Sequence, residues 1–258
     1  MNRNSRWVWL VVVLALAVSV TACGKKEAET PSQPAATAPK AQPVDPATAA
    51  TVSGTVKLEG AAPRATRVRM DADPVCAKAH TSAVGDNEVV VSNGMLANAV
   101  IYVKDGLGSR TFDTPQEPVV LDQRGCLYTP RVISVQANQP VHIKNSDPTT
   151  HNIHPVPQNN QEWNKSQPPG ATDLNEKFAR EEVAITVKCN VHPWMKSYIA
   201  VLRHPYHSVS STDGSFSLKN LPPGDYVVAA WHERLGTSEQ KVTVGASESK
   251  AIEFVFKQ

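Results

Sequence analysis

One stretch constrains this chain more than any other: an alternating run that empties into a ligand-rich loop. Glu182-Val183-Ala184-Ile185-Thr186-Val187-Lys188 alternates in the two-residue period of a half-buried strand. It leads straight into Cys189-Asn190-Val191-His192-Pro193-Trp194-Met195, a Cys-x2-His-x2-Met loop. The apolar run Tyr198 to Leu202 reads as the strand that leaves the loop. A thiolate, an imidazole and a thioether are thus held at the end of a sheet, where strands fix side-chain directions better than a free loop could.

Soft sulfur beside imidazole nitrogen suits copper, and a trigonal His2Cys set with a long, weak axial Met is one established copper geometry. The loop lacks one histidine of that set. His151 is the candidate, in Asn145-Ser146-Asp147-Pro148-Thr149-Thr150-His151-Asn152-Ile153, just after the short strand pattern Pro140-Val141-His142-Ile143-Lys144. His154 lies three residues further on and is the alternative to His151. A Cys-x2-His pair is also half of many zinc sites, and His151-x2-His154 and His204-x2-His207 keep zinc open as a reading. Copper is favoured, because one thiolate is all that the trigonal site needs.

With its ligands in this order, the region from about residue 113 to 203 resembles the cupredoxins, the small blue-copper electron carriers. The short loop with Pro193 after the second histidine is most similar to the amicyanin and plastocyanin type. The resemblance implies a Greek-key β-sandwich with one type 1 copper, held by His151, Cys189 and His192 with Met195 axial. It also implies that Asn152 ties the two ligand loops together and that His192 lies at the surface as the electron exit. Pro193 and Trp194 would belong to an apolar docking patch, with core packing as the other reading of Trp194.

A second resemblance follows His204. Asp213-Gly214-Ser215-Phe216 and Leu221-Pro222-Pro223-Gly224-Asp225-Tyr226 resemble the DG-x-F…LPPG-x-Y segment of carboxypeptidase regulatory-like, or prealbumin-like, β-sandwiches. In that family the segment joins two strands through a tight turn, for which Gly214 and Gly224 can supply positive-φ positions and Pro222-Pro223 stiffness. The family's opening strand resembles Val52–Leu58 and its next strand Ala97–Val103. The fold class expected is therefore all-β: a cupredoxin sandwich at 113–203 and a smaller sandwich made of 51–112 and 204–258. Whether the first is inserted in the second, follows it in tandem or merges with it stays open. Arg67–Met70 is expected to continue the sheet, Asp73–His80 to turn into a short helix, and 158–180 to form a long polar excursion.

Residues 1–22 read as an export signal, with Arg3 and Arg6 ahead of an apolar run from Trp7 to Val20 that is too short to span a bilayer. Val20-Thr21-Ala22-Cys23-Gly24 resembles a bacterial lipobox, which implies cleavage before Cys23, its lipidation, and an anchor in the outer membrane facing the periplasm. Residues 23–50, rich in Pro and Ala, read as a tether, because they hold too little apolar surface to offset the entropy of ordering. Of the four cysteines, Cys23 goes to lipid and Cys189 to metal, so in an oxidising compartment Cys76 and Cys126 are expected to pair.

A net charge of +2 with basic residues spread along the chain gives no reason to expect a nucleic-acid partner. An enzyme is not expected. The chain has none of the His-x-His pairs of multicopper oxidases, and its ligand loop holds one cysteine where the binuclear copper site holds two. The resemblances imply a carrier of single electrons between a redox donor and acceptor, attached to the membrane by lipid. The rival is a non-redox copper-handling or scaffold lipoprotein, or a zinc-binding or metal-free module. A second metal site at His204, His207 and His232 is a lesser expectation.

Overall fold

The structure is a computed structural model that describes residues 41–258. The signal-like segment, Cys23 and most of the tether lie outside the described residues. In chain order the elements are β1 (Ala50–Glu59), α1 (Pro74–Lys78), β2 (Val91–Ser92), β3 (Met95–Leu96) and β4 (Val100–Asp105). Then come β5 (Val119–Arg124), β6 (Leu127–Thr129), β7 (Val132–Gln136), β8 (Val141–Asn145) and β9 (His151–Val156). β10 (Lys165–Gln167), β11 (Leu174–Glu176), β12 (Glu182–Lys188) and β13 (Lys196–Leu202) follow. The chain closes with β14 (His207–Val209), β15 (Ser215–Leu221), β16 (Gly224–His232), β17 (Gly236–Val244) and β18 (Ser249–Lys257). The fold is all-β, as expected.

Four sheets stack around three apolar layers. One sheet has the order β15-β1-β3-β2, with β18 parallel to β1 along its length, and faces a sheet of order β14-β4-β16-β17. Val52, Val56, Ile101, Val103, Phe216, Leu218, Val228 and Phe254 fill the space between them. The sheets β10-β9-β12-β13-β7 and β11-β8-β5-β6 enclose a second core that holds Leu121, Ile143, Ile153, Ile185, Val187, Ile199 and Val201. A third layer of Val100, Val132, Ala200, Leu202, Tyr198 and Trp231 joins the two pairs back to back. The sequence explains this joint. β4 (Val-Ile-Tyr-Val) and β13 (Tyr-Ile-Ala-Val-Leu) are apolar on both faces, so each must be covered twice. Ile101 and Val103 point into one core while Val100 and Tyr102 point into the joint, the alternation that a pleated strand imposes. The Arg131 guanidinium and the buried Glu233 carboxylate pair across the same region, and Arg131 Nη1 also donates to the Asp86 carbonyl at 2.8 Å.

Several expectations are refined. Arg67–Met70 adds no strand; only Arg67 makes a bridge, to Gly85, although Val68 and Met70 pack on the second core. The excursion at 158–180 holds two short strands, each completing a sheet edge by backbone pairing that its polar side chains do not advertise. β6 also escapes a pattern reading, since Leu127–Thr129 is too short to show a period. The tether ends earlier than residue 50. Gln42 donates to the Thr111 carbonyl at 3.1 Å and Val44 packs on the first core, so its one large aliphatic already finds apolar cover. The Pro222-Pro223 turn carries the chain from β15 in one sheet to β16 in the other, and the Tyr226 hydroxyl donates to Pro222 O at 2.7 Å. Gly214 has φ of 73°, but the second positive-φ residue is Asn220, not Gly224.

Candidate metal centre

The antiparallel pairing of β9 with β12, Lys188 opposite His154, sets the start of β9 beside the end of β12. The ligand loop then closes on itself: Cys189 N donates to Met195 O at 3.3 Å and Met195 N to His192 O at 2.9 Å. Asn152 ties the two ligand segments together. Its Oδ1 accepts from Asn190 N at 2.6 Å and Val191 N at 3.3 Å, and its Nδ2 donates to Asn164.

His151, Cys189 and His192 converge, all buried, with one ligand atom from each lying within 4.8 Å of the others. His151 Nδ1 and His192 Nδ1 face one another at 2.9 Å. The outer nitrogens are held by carboxylates, His151 Nε2 by Asp147 at 2.9 Å and His192 Nε2 by Asp73 at 3.0 Å. Met195 is fully buried in the same core as Cys189. His154 is not in this group; it bonds Asn190 and Glu162. The strand period explains the choice, since residues three apart on a strand point to opposite faces. That signal was present in the sequence.

Electrostatics complete the picture. Burial raises the Asp73 carboxyl, but the donors around it (Thr149, Val75 N, His192 and Cys76 N) win and hold it at about 2. Asp147 is also pushed up by burial and pulled further down by His151 and the amides of Cys126 and Gly125. Ionised carboxylates only accept, so each Nε2 carries the proton. Two inward Nδ1 lone pairs then face each other, an arrangement that requires a proton or a metal cation between them. Burial lowers the His151 pKa, but Asp147 and Cys189 outweigh this and raise it to about 9. Burial pushes the Cys189 thiol up, yet His151 and the amides of Asn152, His192 and Val191 leave it below its ordinary value. A lowered thiol beside two inward imidazole nitrogens is a donor set suited to copper.

One expectation is corrected. His192 does not lie at the surface; it is 3% exposed. Asp73, the N-cap of α1, sits against its outer edge, and Cys76 in that helix is bonded to Cys126, with S–S of 1.98 Å. Trp194 is half-buried against the second core and donates from Nε1 to Cys126 O at 3.0 Å, while Pro193 is exposed. Neither Asp73 nor Asp147 was marked by the sequence; one reads as a helix cap and the other as a turn residue before proline. The remaining histidines are dispersed. His204 stacks on Tyr206, His207 Nδ1 meets Ser134 Oγ at 2.8 Å, and His232 Nε2 lacks a partner among the described residues. No candidate metal group among the described residues contains them.

No protein-family model matches the chain, and no curated protein matches it. Among solved structures, it is similar to the Cu-containing nitrite reductase (NirK) from Thermus scotoductus SA-01 at 18% identity and a TM-score of 0.32, over 38% of this chain and 25% of that one. The chain thus spans a quarter of that enzyme's length. A novel purple cupredoxin from Nitrosopumilus maritimus matches at 19% identity and a TM-score of 0.28, over 32% of this chain and 98% of that one. A methionine-to-alanine mutant of amicyanin, in its Cu(I) form, matches at 19% identity and a TM-score of 0.29, over 40% of this chain and 98% of that one. At these scores the likenesses carry no weight against the geometry.

Proposed function

We propose that the chain is a type 1 (blue) copper protein that carries single electrons between redox partners, held by a lipid anchor at Cys23 on the periplasmic face of a bacterial outer membrane. The observation that supports it is the meeting of two carboxylate-held imidazoles, Nδ1 towards Nδ1, with a thiol lowered below its ordinary value. His151 Nδ1, His192 Nδ1 and Cys189 Sγ would hold copper, with Met195 as the weaker fourth donor. When bound, copper supplies one-electron chemistry between its cupric and cuprous states.

The chain's own residues do the rest. Asn152 holds the ligand loop against β9, and the second core keeps the donors dry and their geometry stiff. Stiffness matters because an electron carrier works best when its two oxidation states need little rearrangement. Copper handling is the second reading, and burial of all four donors weighs against it. Hand-over requires an acceptor's own donor atoms to reach the metal, whereas electron exchange proceeds through packed atoms. The lipid anchor and the redox partners rest on the sequence alone.

Adding copper(II) to the purified protein tests the reading. An intense thiolate-to-copper charge-transfer band, bleached by reductant and missing in Cys189→Ser, is the expected result. Binding of zinc in preference to copper, or a copper complex without that band, would overturn it. Retention of copper through repeated oxidation and reduction separates a carrier from a handler.

A further inference from the structure

The two carboxylates beside the centre are joined to each other. Asp147 accepts from Cys126 N at 2.7 Å and Gly125 N at 2.7 Å, and Oδ2 holds His151 Nε2. Asp73 Oδ1 accepts from Val75 N at 2.7 Å and Cys76 N at 3.3 Å, while Oδ2 takes Thr149 Oγ1 at 2.9 Å and His192 Nε2. Each half of the cystine therefore donates its amide to the carboxylate that grips one histidine, and the Cys76–Cys126 bond links the two arms. Cys76 Sγ itself lies 3.6 Å from His192 Nε2.

We propose that Asp73 and Asp147 are positioning residues for the centre, a disulfide-linked pair of carboxylates that turn both histidines Nδ1-inward and bias the bound metal towards its more highly charged state. The inference rests on the copper reading above for its second half only. The first half follows from geometry: a carboxylate acceptor at Nε2 fixes which tautomer is present, and such outer partners orient ligand rings and raise their basicity. The second half follows from charge. Two anions just outside the ligands, in a part-buried region, stabilise the extra positive charge of the oxidised metal more than the reduced one. The Asp73 arm is also what closes the His192 edge, so the cover over that histidine and its electrostatic partner are one device.

Asp73→Asn is the informative variant. Asparagine is as good an N-cap as aspartate, so α1 keeps its acceptor at Oδ1, while the oxygen facing His192 Nε2 becomes an NH2 group and both the charge and that acceptor are lost. Nitrogen-detected NMR of the metal-free protein is expected to show His192 protonated at Nε2 in the parent chain, and a mixed tautomer in Asp73→Ala. In the copper-loaded protein, Asp73→Asn is expected to lower the ratio of cupric to cuprous affinity about tenfold, a rise of ~59 mV in reduction potential for one electron. A parent His192 protonated at Nδ1 would overturn the positioning role. A potential that stays put or falls in Asp73→Asn would overturn the charge bias. If the parent chain takes up no copper, the copper reading and the charge bias fall together, and the NMR result still decides the positioning role.

Discussion

Asn152→Ala bears on the candidate centre without touching a ligand. Asn152 is buried, and its Oδ1 is the acceptor for two amides of the ligand loop, strongly at Asn190 (2.6 Å) and weakly at Val191 (3.3 Å). Alanine removes the acceptor and leaves those amides unpartnered. Asn190 and Val191 are themselves exposed, so the net worth of a hydrogen bond, about 0.5–1.5 kcal/mol, sets the scale, and one strong and one weak bond together predict a loss of about 1–2 kcal/mol. Urea unfolding of the metal-free protein should show that loss as a shifted midpoint with an unchanged slope. Amide exchange at Asn190 and Val191 should quicken in the same variant, while exchange in β15–β18, in the other sandwich, stays as it was. The reasoning is refuted if stability falls by less than about 0.5 kcal/mol with exchange at both amides unaltered, since a neutral change of that kind means the bonds carry no net energy.

Two further outcomes test the body that carries the centre. Arg131→Met strips the buried Glu233 carboxylate of its partner, and breaking such a pair from one side costs about 3–5 kcal/mol; Arg131→Met with Glu233→Leu should regain most of this in denaturant unfolding. Burial lowers His207 and His232 to about 4, from an unfolded value near 6.5. The folded state therefore disfavours the charged form of each. The share of stability due to these two groups should be constant above pH of about 6.5, fall as the unfolded chain takes up protons below that, and level off near pH 4; the raised His151 acts in the opposite sense between about 6.5 and 9. Each histidine contributes about 3 kcal/mol to this fall, from about 1.36 kcal/mol per pH unit between the two values, and His232→Gln should remove its share in urea midpoints measured between these limits.

What the sequence determined by itself was local. The two-residue period of Glu182–Lys188 and the ligand spacing Cys-x2-His-x2-Met are contiguous signals, and β12 and its loop stand where they put them. The double-faced apolar runs of β4 and β13 likewise announced strands, although not that they would meet across a shared layer. The turn at Pro222-Pro223 was readable from its residues, while the sheet switch it performs was not. Tertiary structure decided the surroundings of the centre. His192 reads as an exposed loop residue until Asp73, 119 positions away, is brought to its outer nitrogen, and no periodicity encodes a contact of that span. Asp147 is four residues from His151, yet a turn aspartate before proline looks the same whether or not it grips a ligand. β6, β10 and β11 were missed because three-residue strands take their identity from the edge they pair with. Chemistry of the donors is written along the chain; the charge, cover and dryness that tune them exist only once distant segments pack.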